Sequence, residues 1–166
     1  MINDENFKEY QHYFTSYFGR TPEYYTKRVE WYLQGKRNSF NIYAFFFNNA
    51  WLFFRKMYKP FFLIILAFFI LVIIAETLLL LGVISSSTHS DLNILYFFLV
   101  PTVTGCFANR WYIKRSIKAV EEAIANTDEN FNANEYLEKK GGTSTIALIL
   151  FLIISIALNV IATLIE

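Results

Sequence analysis

Three long apolar runs, residues 61–84, 92–107 and 146–165, dominate the pattern of hydrophobic and polar positions. A helix rises about 1.5 Å per residue, so the first and third runs can each cross a hydrocarbon core of about 30 Å. The second run is shorter. Because backbone groups in lipid must be hydrogen-bonded, it should pair with the first run as a helical hairpin across residues 85–91. We therefore predict an all-α integral membrane protein with transmembrane helices at about 60–84, 92–109 and 145–165.

The polar and aromatic residues 1–39 predict a short helical segment ahead of the membrane domain. A turn signal at Gly19 divides this segment into two helices. Thr21 followed by Pro22 is a good helix start, because a hydroxyl can cap the first turn and proline suits the first helical position. We expect the second helix to end near Gln34.

Residues 40–59 are strongly aromatic but too rich in asparagine for a span. Helical spacing places five polar residues on one stripe and leaves a broad aromatic surface on the rest of the helix. These five are Asn41, Asn48, Asn49, Arg55 and Lys56. The pattern predicts an amphipathic helix that lies in the membrane interface with its two cations near lipid phosphates. A re-entrant helix is the competing interpretation.

Residues 110–142 are predicted to form a helix and a loop outside the membrane. Apolar residues at helical spacing continue the second span as far as Ile124, and a polar loop follows at residues 126–134. Lys139 to Gly142 should break the structure before Thr143 or Ser144 caps the last span.

All 15 Lys and Arg residues lie before Pro60 or between Arg110 and Lys140. Because cytoplasmic flanks collect Lys and Arg, this distribution predicts a cytoplasmic N-terminus and places Glu166 outside. The basic clusters beside the spans suit contact with anionic lipids. Without a basic soluble domain, nucleic acid is not an expected partner.

Two polar residues within the apolar runs, Glu76 and Asn159, are candidate functional residues. Glu76 is the acidic residue deep in a run, and such a carboxylate is either a paired structural residue or a functional one. We expect it to face Thr102, Thr104 or Asn159, with ion handling or partner contact as alternatives. Asn159 adjoins a face of the third span formed by Ala147, Phe151, Ser155, Leu158 and Ala162. We expect this face to pack within the molecule, with a homodimer seam as the alternative.

Catalytic chemistry is not indicated. The chain has one cysteine, Cys106, so an intrachain disulfide is excluded, and no nucleotide, hydrolase or metalloprotease motif occurs. The loop from Asp128 resembles the start of a calcium loop, but Ala133 and Lys139 stand where glycine and a bidentate acid are required. We expect no enzyme activity, metal or cofactor.

The segment F-N-I-Y-A-F-F-F-N-N-A-W-L-F-F-R-K-M-Y, residues 40–58, resembles the signature of the domain-of-unknown-function 2628 family of small bacterial membrane proteins. Members show a tyrosine pair, then F-N-W-x-A-F-F-F, then W-x-x-Y-R-K-M-Y before a hydrophobic span. The matching residues here are Tyr24, Tyr25, Phe40, Asn41, Ala44, Phe45, Phe46, Phe47, Trp51, Arg55, Lys56, Met57 and Tyr58. Ile42 and Phe54 depart from the pattern.

Gly105, Asn109 and Tyr112 resemble a later motif of the same family. The resemblance covers roughly residues 20–144. It implies a fold and a membrane location, and it carries no established activity.

Our leading hypothesis is a non-enzymatic bacterial inner-membrane protein that binds another membrane component, as an accessory subunit or as protection against a membrane-directed toxin. The partner is the lipid bilayer together with a membrane protein or a second copy. The alternative is a small oligomeric channel or transporter using Glu76. Candidate functional or interaction residues are Glu76, Asn41, Asn48, Asn49, Trp51, Arg55, Lys56, Tyr58, Asn109 and Asn159.

Overall fold

A computed structural model describes residues 1–36 and 39–165, and all regular structure in these ranges is helical. Seven helices follow one another along the described chain. They are α1 (Phe7–Phe18), α2 (Pro22–Leu33), α3 (Ile42–Phe54), α4 (Tyr58–Leu80), α5 (Ser86–Ala125), α6 (Ala133–Lys140) and α7 (Thr145–Ile165).

Three of these helices, α4, α5 and α7, are long and apolar enough to cross a membrane. This confirms the three predicted apolar helices. α5 has 40 residues and is therefore about 60 Å long, roughly twice the thickness of a hydrocarbon core. Its second half continues well past the apolar run, as the spacing up to Ile124 predicted.

The connection between α4 and α5 is shorter than the predicted loop over residues 85–91. α5 already begins at Ser86, so most of that stretch forms its first turns. The Oγ of Ser85 accepts a hydrogen bond from the backbone N–H of Thr88 at 3.2 Å, which caps the helix.

The two N-terminal helices are present, and α2 ends at Leu33 as expected. The predicted cap at Thr21 is wrong. Thr21 has φ 62° and ψ 47°, and its hydroxyl donates to the carbonyl of Arg20 at 2.5 Å instead of accepting from the first turn. The left-handed backbone at this residue turns the side chain away from the helix end.

α3 consists of two helical segments joined at Asn48, whose φ of 40° and ψ of −113° are not helical. The polar stripe predicted for one continuous helix is therefore wrong, because the break rotates the second segment relative to the first. Asn41 is the N-cap and is buried, and Arg55 is the C-cap and is only 7% exposed. The expected position of Arg55 among lipid phosphates is also wrong.

α6 was not predicted. The side chain of Asn132 accepts from the backbone N–H of Glu135 at 3.2 Å and caps this short helix. Lys139 and Lys140 are its last residues, where cations favour the negative end of the helix dipole, so they do not break structure. The break comes at Gly141, and Ser144 then accepts from Ala147 N–H at 3.1 Å.

Most buried side chains lie in a helical cap, which we define as α1, α2, α6 and residues 108–125 of α5. Tyr112 is at its centre, with the rings of Tyr17, Phe18 and Tyr25 at centroid distances of 5.7, 5.5 and 5.0 Å. Further buried side chains of the cap are Phe7, Phe14, Val29, Ser116, Ala119, Val120, Ala123 and Leu137.

The first half of α7 lies against α3, where the ring of Phe151 stacks on Phe53 at 4.8 Å. Ala147, Phe151 and Ser155 are half-buried, so the predicted intramolecular packing is confirmed for this half. Leu158 and Asn159 are exposed, and for them the prediction is wrong because no described helix reaches that part of α7. The side chain of Ala162 lies outside the described residues.

Candidate functional site

Buried asparagines fasten α3 to α5. The Nδ2 of Asn41 donates to the Oδ1 of Asn109 at 2.7 Å, and the Nδ2 of Asn109 donates to the carbonyl of Ser39 at 3.2 Å. The backbone N–H of Asn41 also donates to the carbonyl of Gly105 at 2.8 Å. Buried amides are costly unless they are hydrogen-bonded, so this network fixes where α3 begins.

The kink of α3 also contacts α5. The Oδ1 of Asn48 accepts from the hydroxyl of Thr104 at 2.9 Å. Beyond the kink, the ring of Trp51 lies 6.2 Å from that of Tyr112, and the carbonyl of Lys56 accepts from Arg115. Among these contacts, Asn48 is the point of α3 that lies farthest toward the apolar half of α5.

Arg55 ends α3 inside an aromatic cage, which we define as Arg55 with Tyr25, Tyr112 and Phe54. Its Cζ lies 4.7, 5.3 and 5.9 Å from the centroids of these three rings. A desolvated guanidinium over ring faces gains about 2 kcal/mol. The C-terminal end of α3 adds a favourable dipole.

The charge of Arg55 has no carboxylate within 4.0 Å in the described part of the chain. Burial raises the pKa of the Tyr25 phenol to about 12, and the nearby Arg55 acts in the opposite direction. That phenol is therefore neutral at physiological pH and supplies no counter-charge. The Nε and Nη1 atoms of Arg55 are buried without a hydrogen-bond partner.

An unpaired buried cation costs several kcal/mol, more than cation–π contacts return. Arg55 is therefore a poor contributor to stability. Charged side chains are rarely fully buried without an ionic partner, which makes the aromatic cage the candidate site of this protein.

A cavity of about 600 Å³ adjoins the aromatic cage. Its lining is mostly aromatic and includes Tyr24, Tyr43, Phe47, Trp51, Arg55 and Leu148. Its volume falls within the range of about 300–1,000 Å³ that is usual for binding pockets. The chemistry of the lining suits an apolar group that carries a carbonyl or carboxylate for the guanidinium.

The α3–α4 connection anchors the cage to the helical cap. Lys56 has φ 55°, and its Nζ donates to the carbonyl of Lys139 at 3.0 Å. Burial, followed by the charge of Arg115, lowers the pKa of the Lys56 amine. Arg115 donates to the carbonyls of Lys56 and, at 3.3 Å, Lys140. The backbone N–H of Gly142 donates to the carbonyl of Tyr17 at 2.6 Å.

The structure brings most of the predicted site residues together at this α3–α5 junction. Asn41, Asn48, Trp51, Arg55, Lys56 and Asn109 make the contacts described above. The Oδ1 of Asn49 is buried without a partner, and the exposed Tyr58 begins α4 with its ring 5.4 Å from Phe53.

Glu76 and Asn159 lie elsewhere. The Oε1 of Glu76 is 3.0 Å from the Nε2 of His89, so the expected partners Thr102, Thr104 and Asn159 are wrong. Glu76 is about one turn from the end of α4, and in an antiparallel hairpin the first turns of α5 are level with it. The Nδ2 of Asn159 donates to the carbonyl of Ser155 in its own helix at 2.8 Å.

Sequence reasoning assigned no site role to Tyr25, Tyr112 or Arg115. A signal was present around Tyr112. Small residues recur at helical spacing along α5, at Ala108, Ser116, Ala119 and Ala123, and mark the face on which other helices approach closely.

The fold and the site together define a class of protein: an all-helical chain with three helices able to cross a membrane and a helical cap that holds an aromatic cage around one arginine. Residues 10–117 match the model of the family described as proteins of unknown function, DUF2628. The match covers more than half of the chain, so this protein belongs to that family, and the resemblance is confirmed. The matched part includes Tyr25, Arg55 and Tyr112. No curated protein and no solved structure matches the chain.

Proposed function

We propose that this chain is a non-enzymatic protein of the bacterial inner membrane that acts by binding another membrane protein, as an accessory subunit or as protection against a membrane-directed toxin. The observation that carries the proposal is Arg55, a buried guanidinium with two unpartnered donors beside an aromatic cavity. A partner that places an oxygen acceptor there would relieve the cost of the unpaired charge, and that gain favours binding.

The proposed orientation places the N-terminus and the helical cap in the cytoplasm, with the α4–α5 turn and the C-terminus outside. The distribution of Lys and Arg supports it. Glu166 lies outside the residues that the structure describes, so its expected position outside the membrane stays a prediction.

The partner's chemistry follows from the cavity. Tyr43 and Phe47 line it and are 65% and 62% exposed, so the aromatic wall continues onto the outer face of α3. Such a wall fits an apolar helix or loop of a neighbouring membrane protein, and the guanidinium fits a backbone carbonyl or a carboxylate at its end.

The test is photocrosslinking in intact cells with benzoylphenylalanine at Tyr43 or Phe47. Trp51 is unsuitable because it is only 6% exposed. A matched control carries the same probe at Phe97, an exposed aromatic residue in the first half of α5. We expect one abundant protein adduct from Tyr43 and Phe47 that is missing from Phe97.

The adduct should also depend on Arg55. Arg55→Met removes the charge but keeps most of the volume, and we expect the protein to fold with an unfolding free energy equal to that of the wild type or up to about 4 kcal/mol higher. The adduct should fall at least about tenfold, a loss of roughly 1.4 kcal/mol of binding. Arg55→Lys should retain part of it. Adducts only to lipid or to itself, or a protein adduct that Arg55→Met leaves unchanged, would overturn the proposal.

A channel or transporter using Glu76 remains the second proposal, with less support. Glu76 already has an intramolecular partner in His89, and Asn159 bonds within its own helix. Both residues are therefore satisfied without a transported ion.

A further inference from the structure

A second cavity, a groove of about 950 Å³, lies between the start of α4 and the middle of α5. It shares no lining residue with the cavity beside the aromatic cage. The two cavities are separated along the chain by the junction between Arg55 and Lys56.

One end of the groove is strongly cationic. Its lining includes Lys56, Lys59, Lys114, Arg115, Lys118 and Lys140, against one carboxylate, Glu122. That carboxylate is already engaged: its oxygens lie 2.5 Å from the Nζ of Lys140 and 3.9 Å from that of Lys118.

The remaining cations of the groove have no carboxylate partner among the described residues. Lys56 and Arg115 donate to backbone carbonyls, which are neutral acceptors. Lys59 and Lys114 are exposed and form no ion pair with the described residues. The described residues do not neutralise the positive charge of this cluster. The cluster therefore attracts a phosphate.

The other end of the groove is apolar. Leu63, Ile64 and Ala67 line it from α4, and Val103 lines it from α5. Lys59 and Ala67 are eight residues apart on one helix, so the change from cationic to apolar lining occurs over about 12 Å. Trp111 lies between the two ends, and tryptophan prefers the level of lipid headgroups.

From this gradient we infer that the groove binds one anionic phospholipid. Its phosphate lies among Lys59, Lys114 and Arg115, and the upper part of an acyl chain lies along Ile64 and Val103. Charge complementarity selects the anionic headgroup, and the apolar floor selects a lipid over a soluble phosphate. The inference is independent of the proposed protein partner, because no residue of the aromatic cage takes part.

The test uses the fluorescence of Trp111. Wild-type protein is reconstituted in phosphatidylcholine vesicles that contain a low fraction of brominated phosphatidylglycerol or, in parallel, brominated phosphatidylcholine. A Trp111→Phe protein supplies the background from Trp31 and Trp51. We expect half-quenching of Trp111 at an anionic-lipid fraction about fivefold lower or more than for the neutral lipid, the factor that one cation contributes near the surface.

Two double variants with equal charge loss sharpen the result. Lys59→Gln with Lys114→Gln should abolish the preference, and both residues are exposed, so the fold should be retained. Arg110→Gln with Lys36→Gln, outside the groove, should preserve it. Equal quenching by both lipids, equal loss in both variants, or displacement by soluble glycerol phosphate would overturn the inference.

Discussion

The helical cap and the long apolar helices bury their side chains in opposite ways. Leu137 in the cap is 0% exposed, whereas Leu66 in α4 is 57% exposed, and Ala75 is the only buried side chain of α4. The cap therefore has a core like that of a soluble domain. α4 and α7 leave most of their apolar surface outside the protein.

This difference agrees with the proposed membrane location of the apolar helices. Burying apolar side chains from water stabilises the cap by about 25 cal/mol per Å². Between helices in lipid there is no such driving force, because acyl chains are as apolar as leucine. The specific fold therefore depends on the cap and on the buried Asn41–Asn109 bond, and both candidate binding sites lie where the two regions meet.

The contrast between the helical cap and the apolar helices is tested most strongly by replacing one leucine in each region with alanine. Leu137→Ala leaves a cavity in the core of the cap and should lower the unfolding free energy by about 2–5 kcal/mol. Leu66→Ala removes the same atoms from an exposed position and should change it by less than about 0.5 kcal/mol. Denaturation in a mild detergent, followed by near-UV circular dichroism, measures both. Equal losses would mean that α4 belongs to a packed core.

Two glycines give a second contrast of the same kind. A Cβ at Gly141 would lie 2.0 Å from the carbonyl oxygen of Tyr17, so Gly141→Ala must push α6 away from α1. We expect a loss at the upper end of about 1–3 kcal/mol. At Gly82 the space is open, and the φ of 69° alone should make Gly82→Ala cost about 1 kcal/mol.

Hydrogen exchange of the backbone amides separates the two glycine variants by location. Gly141→Ala should increase exchange in α1 and α6. Gly82→Ala should increase it only around the α4–α5 turn. Unchanged exchange in the cap of the Gly141→Ala protein would show that α1 and α6 are not in close backbone contact.

The regular apolar helices could be predicted from the sequence, because length and composition alone decide them. α4, α7 and the first half of α5 agree with the predicted spans to within a few residues, apart from the earlier start of α5. The segment boundary at Gly19 was predictable in the same way, since its φ of 57° requires a conformation that glycine adopts readily.

The candidate site could not be predicted, because it depends on a break within α3 and on contacts between residues that are far apart in the sequence. Helical spacing assumes one continuous helix, and the backbone at Asn48 interrupts it. The burial of Arg55 depends on Tyr25 and Tyr112, which lie far away in the sequence. α6 was missed because lysines near its end resemble a solvated loop.

The smallest effect is expected at Glu76, and it tests whether the apolar hairpin has a function of its own. The side chains of Glu76 and His89 are 52% and 17% exposed, and such a partly exposed pair contributes about 0–1 kcal/mol. Glu76→Gln keeps an oxygen that can accept from His89, so the unfolding free energy should change by less than that amount.

If the protein acts only by binding, liposomes with wild-type protein or with Glu76→Gln should both show the proton and ion flux of protein-free vesicles. His89→Gln serves as the control from the other side of the pair. Flux in the wild type that a folded Glu76→Gln protein loses would instead establish the hairpin as a transport element, and the contrast between a functional cap and passive apolar helices would fail.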